Sequence, residues 1–182
     1  MQILVVSTIL LWIIVLLNLL LTLALIRRIN ERSAGEVAPE PLPVGQTAPD
    51  FFAETLQNER VTLANYAGRT LAMVFISPTC SHCRPIIPQV ESLGPKAKDS
   101  DVELLFVSDS EIDKTQAYVQ ELGITLPVLS APRLNNRFLE DYKVNGVPAF
   151  VVIDSQGKVQ ESGHPDELEW KMVLDKWGKE EI

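Results

Sequence analysis

The chain has 182 residues and a formal net charge of −8, and 46% of its residues are hydrophobic. The charged residues are unevenly distributed: 13 of the 16 basic and 23 of the 24 acidic residues follow Arg32. Residues 33–182 therefore carry a net charge of −10. Phosphate binding needs a basic face, so this composition excludes a nucleic-acid partner. Two cysteines are too few for a multi-cysteine disulfide scaffold.

An uncharged apolar segment occupies residues 3–26. At 1.5 Å per residue it extends roughly 36 Å, enough to cross a hydrocarbon core of about 30 Å. The apolar part of a secretory signal peptide spans only about 7–15 residues and ends at a small-residue cleavage site. Here Arg27 and Arg28 follow the segment instead. We therefore predict an uncleaved, single-pass anchor over residues 1–28, with residues 3–26 in the lipid bilayer.

The rest of the chain is predicted to form a linker at residues 29–43 and one domain at residues 44–182. The linker is rich in proline and shows no apolar period, which is typical of a semi-extended tether. In the domain, the unbroken apolar run at residues 71–76 predicts a central strand covered on both faces. Further strands are predicted at 61–63, 102–107, 148–153 and 158–161, the last two joined by a turn at 154–157.

Helices are predicted between these strands, which indicates an α/β sandwich around a mixed sheet. Residues 110–113 have the form of a capping box and open a helix that ends near Leu122. A second short helix is predicted at residues 133–142. The closing helix is predicted from one apolar stripe, which consists of Trp170, Val173, Leu174 and Trp177.

The two cysteines, Cys80 and Cys83, are separated by two residues and follow the predicted central strand. Residues 77–79 break that strand, and residues 83–93 are predicted to continue as a helix. Cys80 is then expected at the helix N-terminus, where free N–H groups and the positive dipole end favour a thiolate. We assign Cys80 as the attacking sulfur. We expect its alkylation to proceed well below about pH 8.5, which is the pKa of a free cysteine thiol. Cys83 is the resolving thiol, which displaces the partner from a mixed disulfide.

Metal and haem sites also use Cys-x-x-Cys pairs. A zinc site needs two more ligands, and only His82, inside the motif, and His164 are present. A c-type haem site has His after the second cysteine, where this chain has Arg84. We therefore predict a redox pair with no metal and no cofactor. His82 is either a solvated loop residue or a group that stabilises the Cys80 thiolate and hence the reduced form.

The pair, with Pro88 five residues beyond Cys83, resembles the active-site helix of the thioredoxin-like superfamily. Gly146-Val147-Pro148, ahead of an apolar strand, is similar to the cis-proline loop of that fold. The resemblance implies a three-layer α/β sandwich with a mixed central sheet. It also implies a cis bond before Pro148 and a substrate-binding role for Val147 and Pro148, because in that family the proline faces the cysteines and the preceding backbone pairs with the bound polypeptide.

The lead-in at residues 45–51, 61–63 and 66–68 resembles the membrane-anchored TlpA/ResA group, which carries an extra N-terminal hairpin. The layout of span and linker also resembles MauD, the membrane-bound accessory protein of methylamine dehydrogenase maturation. These resemblances imply a membrane-tethered thiol–disulfide oxidoreductase for exported proteins, in cytochrome c maturation or in disulfide formation of a dehydrogenase subunit. A membrane redox partner would supply or accept the electrons.

Two positions depart from the thioredoxin pattern. Thr79 stands where thioredoxins usually carry Trp, which makes Thr79 a candidate modulating residue beside His82. Val74 stands where thioredoxin has a buried acid that helps deprotonate the resolving cysteine. The sequence therefore offers no obvious base for Cys83, which argues against the general reductase activity of thioredoxin itself.

Two other functions are compatible with the motif. A peroxiredoxin needs Pro-x-x-x-Thr/Ser-x-x-Cys, and Ser77 fits that pattern but Met73 occupies the proline position. A copper-carrying binding module would use Cys80, Cys83 and the distant His164, although such carriers usually have a wider cysteine spacing. Peroxide turnover and metal analysis distinguish these classes from a disulfide oxidoreductase.

Membrane orientation is predicted from two opposing observations. Arg27, Arg28 and Arg32 flank the C-terminal end of the span, and the positive-inside rule places them in the cytoplasm. Disulfide chemistry favours the other side, because cytoplasmic thiols are held reduced. Relatives in the resembling group are extracytoplasmic. We therefore predict a domain on the periplasmic or outer face of the cell membrane.

Overall fold

The computed structural model describes residues 1–35 and 42–165, and the chain divides into two compact units, Met1–Pro39 and Glu40–Ile182. In the first unit, helix α1 spans Gln2–Gly35. Its stretch Val5–Ala24 is, among the described residues, the one candidate membrane span by length and composition. The helix continues to Gly35, so the first residues of the predicted linker are helical rather than extended.

The second unit is built on a seven-stranded mixed sheet in the order β2-β1-β5-β4-β3-β6-β7. Strands β3, β4 and β5 are parallel, and the other pairings are antiparallel. The antiparallel pair β1–β2 is the N-terminal hairpin that the resemblance implies. The strands are β1 (Phe52–Thr55), β2 (Arg60–Thr62), β3 (Thr70–Ile76), β4 (Val102–Ser108), β5 (Val128–Ser130), β6 (Ala149–Ile153) and β7 (Val159–Gly163).

Strand β3 lies inside the sheet between β4 and β6, as its unbroken apolar run predicts. Its side chains alternate between two hydrophobic clusters: Leu71, Met73 and Phe75 join one, and the intervening residues join the other. Every residue from Leu71 to Ile76 is at most 1% exposed. Helical layers therefore cover both faces of the sheet, which confirms the predicted three-layer α/β sandwich.

The helices described between residues 42 and 165 are short. They are α2 (Ile87–Glu91), α3 (Gly94–Asp99), α4 (Ile112–Leu122) and α5 (Phe138–Asp141), and a 3-10 turn at Leu63–Tyr66 precedes β3. Three of them, α2, α3 and α4, contribute buried residues to one cluster, and α5 contributes to the other.

Several sequence predictions need correction in detail. The capping box at Ser110 is wrong, because Glu111 is the N-cap of α4 and makes no side-chain capping bond. Helix α4 does end at Leu122, where Gly123 takes a left-handed φ of 64° that favours glycine. The helix predicted at 133–142 is confined to α5. No sequence pattern predicts β5, and β1 is implied only by the hairpin of the resembling group. The predicted closing helix lies outside the described residues.

The C-terminal part of the predicted linker is packed on the domain. Leu42 is 2% exposed, and its carbonyl accepts a 2.9 Å hydrogen bond from the Ser162 hydroxyl. The amide of Gly45 donates to the carbonyl of Val159 at 2.7 Å. The domain therefore includes Leu42, because this apolar side chain is buried and the Leu42 carbonyl is bonded to the Ser162 side chain of β7.

Four buried aromatic rings, Phe51, Phe75, Phe138 and Tyr142, hold α5 against the sheet. Phe51 and Phe138 stack with ring centroids 4.0 Å apart. Tyr142 is 1% exposed, and its hydroxyl donates to the carbonyl of Pro49 at 2.7 Å. Burial raises the pKa of Tyr142, so the hydroxyl remains a protonated donor. This bond ties the segment before β1 to the loop that leads to β6.

Tyr142→Phe is expected to lower the free energy of unfolding by about 1 kcal/mol, because it leaves the carbonyl of Pro49 without its donor. Denaturant unfolding of the full chain in mild detergent, followed by fluorescence, measures the loss. Tyr66→Phe is the matched control, since no described hydrogen bond uses the Tyr66 hydroxyl. Equal losses of unfolding free energy in the two variants would contradict a stabilising role for the Tyr142–Pro49 hydrogen bond.

Candidate functional site

The cysteine segment follows β3 at the carboxyl edge of the parallel strands. The regular helix begins only at Ile87, so the prediction that Cys80 lies at a helix N-terminus is wrong. Between Cys80 and the start of α2 the chain forms consecutive turns, in which the amides of Cys83 and Ile86 donate to carbonyls three residues earlier. Pro85 and Pro88 explain the difference, because neither has the N–H that a continuous helix would use.

Cys80 and Cys83 are joined by a disulfide across these turns, with their Cα atoms 5.4 Å apart. This separation lies in the usual range for bonded cysteines. The amide of Cys83 donates to Cys80 Sγ at 3.1 Å. A backbone donor thus points at Cys80 and supplies the stabilisation of negative charge that had been expected from a helix terminus.

The two sulfurs differ in exposure. Cys83 is 0% exposed and belongs to an apolar cluster that includes Val74 and Val90. Cys80 is only partly buried and lies at the border of the same cluster. An incoming thiolate can therefore reach Cys80 far more easily than Cys83.

The loop before β6 faces the cysteines. Cys80 Sγ lies 3.4 Å from the carbonyl oxygen of Val147, 67 residues away in sequence. The bond between Val147 and Pro148 is cis, as predicted. Antiparallel pairing of Phe75 with Ala149 fixes this approach, because it brings the chain leaving β3 beside the chain entering β6. The structure thus brings Cys80, Cys83, Val147 and Pro148 together.

The two candidate modulating residues are exposed. The Thr79 hydroxyl lies 3.0 Å from the Ser77 hydroxyl, and the Thr79 amide also faces that oxygen. Nδ1 of His82 lies 3.5 Å from the Ser81 hydroxyl. Neither side chain has a described contact with a sulfur, so any influence on the cysteines acts through the local backbone or the electrostatic field.

Sequence reasoning missed two contacts that position the site. Arg84 bonds to Glu121 of α4 at 2.8 Å, and its guanidinium lies 5.6 Å from the ring centroid of Tyr118. The hydrogen bond with Glu121 raises the pKa of Arg84. This pair connects the cysteine segment to α4. The residues are 37 positions apart, and no local pattern indicates their contact.

The second missed contact anchors the loop that carries Val147. Nη1 of Arg133 donates to the carbonyl of Val144 at 3.2 Å, and Nε lies 3.3 Å from the Asp109 carboxylate. The amide of Asp109 in turn donates to the carbonyl of Ile76. Arg133 therefore links the ends of β3 and β4 to the loop before β6.

Within residues 1–35 and 42–165, no group of three or more His, Cys, Asp and Glu side chains is arranged to hold a metal ion. Two cavities of about 390 and 370 Å³ lie elsewhere, and neither is lined by a cysteine. The Cys80–Cys83 disulfide is therefore outside these two cavities.

A reactive disulfide opposite a cis-proline loop, on this sheet, defines a thioredoxin-fold thiol–disulfide oxidoreductase. The family model described as AhpC/TSA family matches residues 44–162, and the chain belongs to that family. It is 28% identical over 123 residues to the thiol-disulfide oxidoreductase ResA of Bacillus thuringiensis strain Al Hakam, covering 67% of this chain and 70% of that protein.

Two further likenesses agree. The thioredoxin-like protein YneN of Bacillus subtilis is 29% identical over 138 residues, covering 72% of this chain and 79% of its own length. The thioredoxin domain of a thiol-disulfide oxidoreductase from Bacteroides vulgatus superposes with a TM-score of 0.65 at 21% identity, covering 76% of this chain and 97% of that one. The second likeness shows the fold alone.

In the reduced protein at pH 7, Cys80 is expected to react with iodoacetamide on the order of tenfold faster than Cys83, because Cys83 is fully buried. A short alkylation pulse followed by peptide mass spectrometry measures the two rates. The same pulse after denaturation is the control and should label both cysteines. Comparable rates in the folded protein would contradict the proposed division of roles.

Proposed function

We propose that this protein exchanges disulfides with exported protein partners from a membrane anchor, in cytochrome c maturation or in disulfide formation of a dehydrogenase subunit. The observation that carries the proposal is the exposure difference within the Cys80–Cys83 disulfide, whose accessible sulfur faces the carbonyl of Val147. A membrane redox partner supplies or accepts the electrons.

The chemistry is thiol–disulfide exchange. A partner thiolate attacks Cys80 Sγ, the Cys80–Cys83 bond breaks, and Cys83 leaves with the electron pair. A second thiolate of the partner then attacks the mixed disulfide, so the partner is oxidised by two electrons and Cys80 and Cys83 are reduced. The reverse sequence, with Cys80 as the nucleophile and Cys83 as the resolving thiol, reduces a partner disulfide.

A polypeptide substrate fits this surface better than a small molecule. The reactive sulfur is outside both cavities, and the carbonyl beside it is a hydrogen-bond acceptor for an extended chain. In this proposal Val147 and Pro148 form the substrate-binding edge, Thr79 and His82 modulate the exposed approach to Cys80, and no cofactor takes part.

Peroxide reduction is less well supported. Met73, at the position of the peroxiredoxin proline, is buried in β3 opposite Leu105. The Ser77 hydroxyl, which would have to assist the attacking sulfur, instead lies against the Thr79 hydroxyl. Peroxide consumption no faster than that of a variant lacking both cysteines is the expected outcome.

Cys83→Ser is expected to accumulate a mixed disulfide between Cys80 and a partner protein, because the thiol that resolves this intermediate is missing. Non-reducing electrophoresis of membranes under oxidising conditions, followed by mass spectrometry, detects and identifies the adduct. Cys80→Ser is the matched control and should trap nothing at the buried Cys83. Trapping through Cys83 alone would reverse the roles, and a lack of any adduct would count against protein substrates.

The domain is proposed to face away from the cytoplasm. The argument is chemical: a disulfide cycle runs without competition from the cytoplasmic thiol pool only outside that compartment. The candidate span Val5–Ala24 is compatible with a single-pass anchor in either orientation.

A membrane-impermeant maleimide added to intact cells is expected to label the reduced Cys80 before lysis. The partial exposure of this sulfur, in contrast to the buried Cys83, makes it a suitable reporter. A cytoplasmic protein with an exposed cysteine serves as the control for leakage. Labelling of Cys80 only after lysis would place the domain in the cytoplasm.

A further inference from the structure

The candidate membrane span contains one carboxamide, that of Asn18. The 20 residues of the span, Val5–Ala24, also include three hydroxyl-bearing residues, which are Ser7, Thr8 and Thr22. An α-helix turns about 100° per residue, so Ser7, Asn18 and Thr22 fall within an arc of about 60°. Leu11 lies on the same arc. The span therefore has one weakly polar face and an otherwise apolar circumference.

Asn18 has no hydrogen-bond partner for its carboxamide within the described part of the helix. The neighbouring Thr22 hydroxyl donates to the backbone carbonyl of Asn18 at 2.8 Å, so Thr22 is satisfied by the helix itself. The Asn18 side chain is exposed. In hydrocarbon there is no water to satisfy its two N–H donors and its acceptor oxygen, and such side chains face a partner rather than lipid.

We propose that Asn18 pairs with Asn18 of a second copy of this chain in a parallel transmembrane homodimer. This inference rests on the membrane anchor of the proposed function. Among the described residues α1 is the one helix long enough to span a bilayer, so no other described helix of the same chain can pair with it there.

Identity of the two helices favours a second copy over a different protein. In a parallel pair both Asn18 residues lie at the same membrane depth without any adjustment. A carboxamide is both donor and acceptor, so a two-fold axis lets each copy satisfy the other reciprocally. The arc between Ser7 and Thr22 then becomes the contact face, with Leu11 packed between its polar positions.

The test uses the full chain, with donor or acceptor fluorophores fused to its C-terminus, in phosphatidylcholine–phosphatidylglycerol vesicles under reducing conditions. Energy transfer measured against the protein-to-lipid ratio gives the dissociation constant. Asn18→Leu is expected to weaken association about 3- to 30-fold. Asn18→Gln keeps the carboxamide and should remain within about threefold of the unmodified chain, as should Leu20→Ala, which alters the opposite face.

Several results would overturn the proposal. One is energy transfer no greater than the level expected from random proximity of unassociated chains. The others are equal dissociation constants for Asn18→Leu and the unmodified chain, or a loss of association in Leu20→Ala equal to that in Asn18→Leu. Capture of a different membrane protein that depends on Asn18, in place of a second copy, would also refute it. Vesicle flotation distinguishes failure of the dimer from failure of the membrane anchor. A chain that floats with the vesicles but shows no specific energy transfer refutes only the dimer. A chain that does not float refutes the anchor as well.

Discussion

The approach of the Val147 carbonyl to Cys80 Sγ depends on one constraint, the register between β3 and β6. Pairing of Phe75 with Ala149 sets this register, so the chain leaving one strand passes the chain entering the other. A slip by one residue would turn the side chains of β6 to the opposite face of the sheet. Because both faces are packed, the hydrophobic core holds the cysteine loop and the proline loop together.

The core protects this register through its two separate clusters. Leu71, Met73 and Phe75 pack on the side of α5, and Ala72, Val74 and Ile76 pack on the side of α2 to α4. Val74 has a second consequence. With this apolar side chain in place of a buried acid, Cys83 is surrounded by hydrocarbon, where a charged thiolate is unfavourable. The core that positions the pair therefore also makes its two sulfurs unequal.

Sequence patterns predicted the parts of the fold whose cause is local or strongly periodic. The run at residues 71–76 predicted β3, and Pro148 after Gly146-Val147 predicted the cis-proline loop through resemblance. Three-residue strands such as β5 have too few positions to show a period. The start of α2 was misplaced because Pro85 and Pro88 remove helix bonds at positions where an apolar pattern alone still looks helical. The contacts of Arg84 and Arg133 depend on tertiary packing, which no short motif encodes.

The exposure difference between the sulfurs gives the proposed chemistry the same intermediate in both directions. In the oxidised protein a partner thiolate reaches Cys80, because Cys83 is fully buried. In the reduced protein Cys80 is again the accessible nucleophile, and the Cys83 amide at 3.1 Å stabilises negative charge on it. The partner is therefore bonded to Cys80 whether it is being oxidised or reduced. Burial selects the sulfur that meets the partner, whereas the difference in reduction potential between the protein and its partner selects the direction of electron flow.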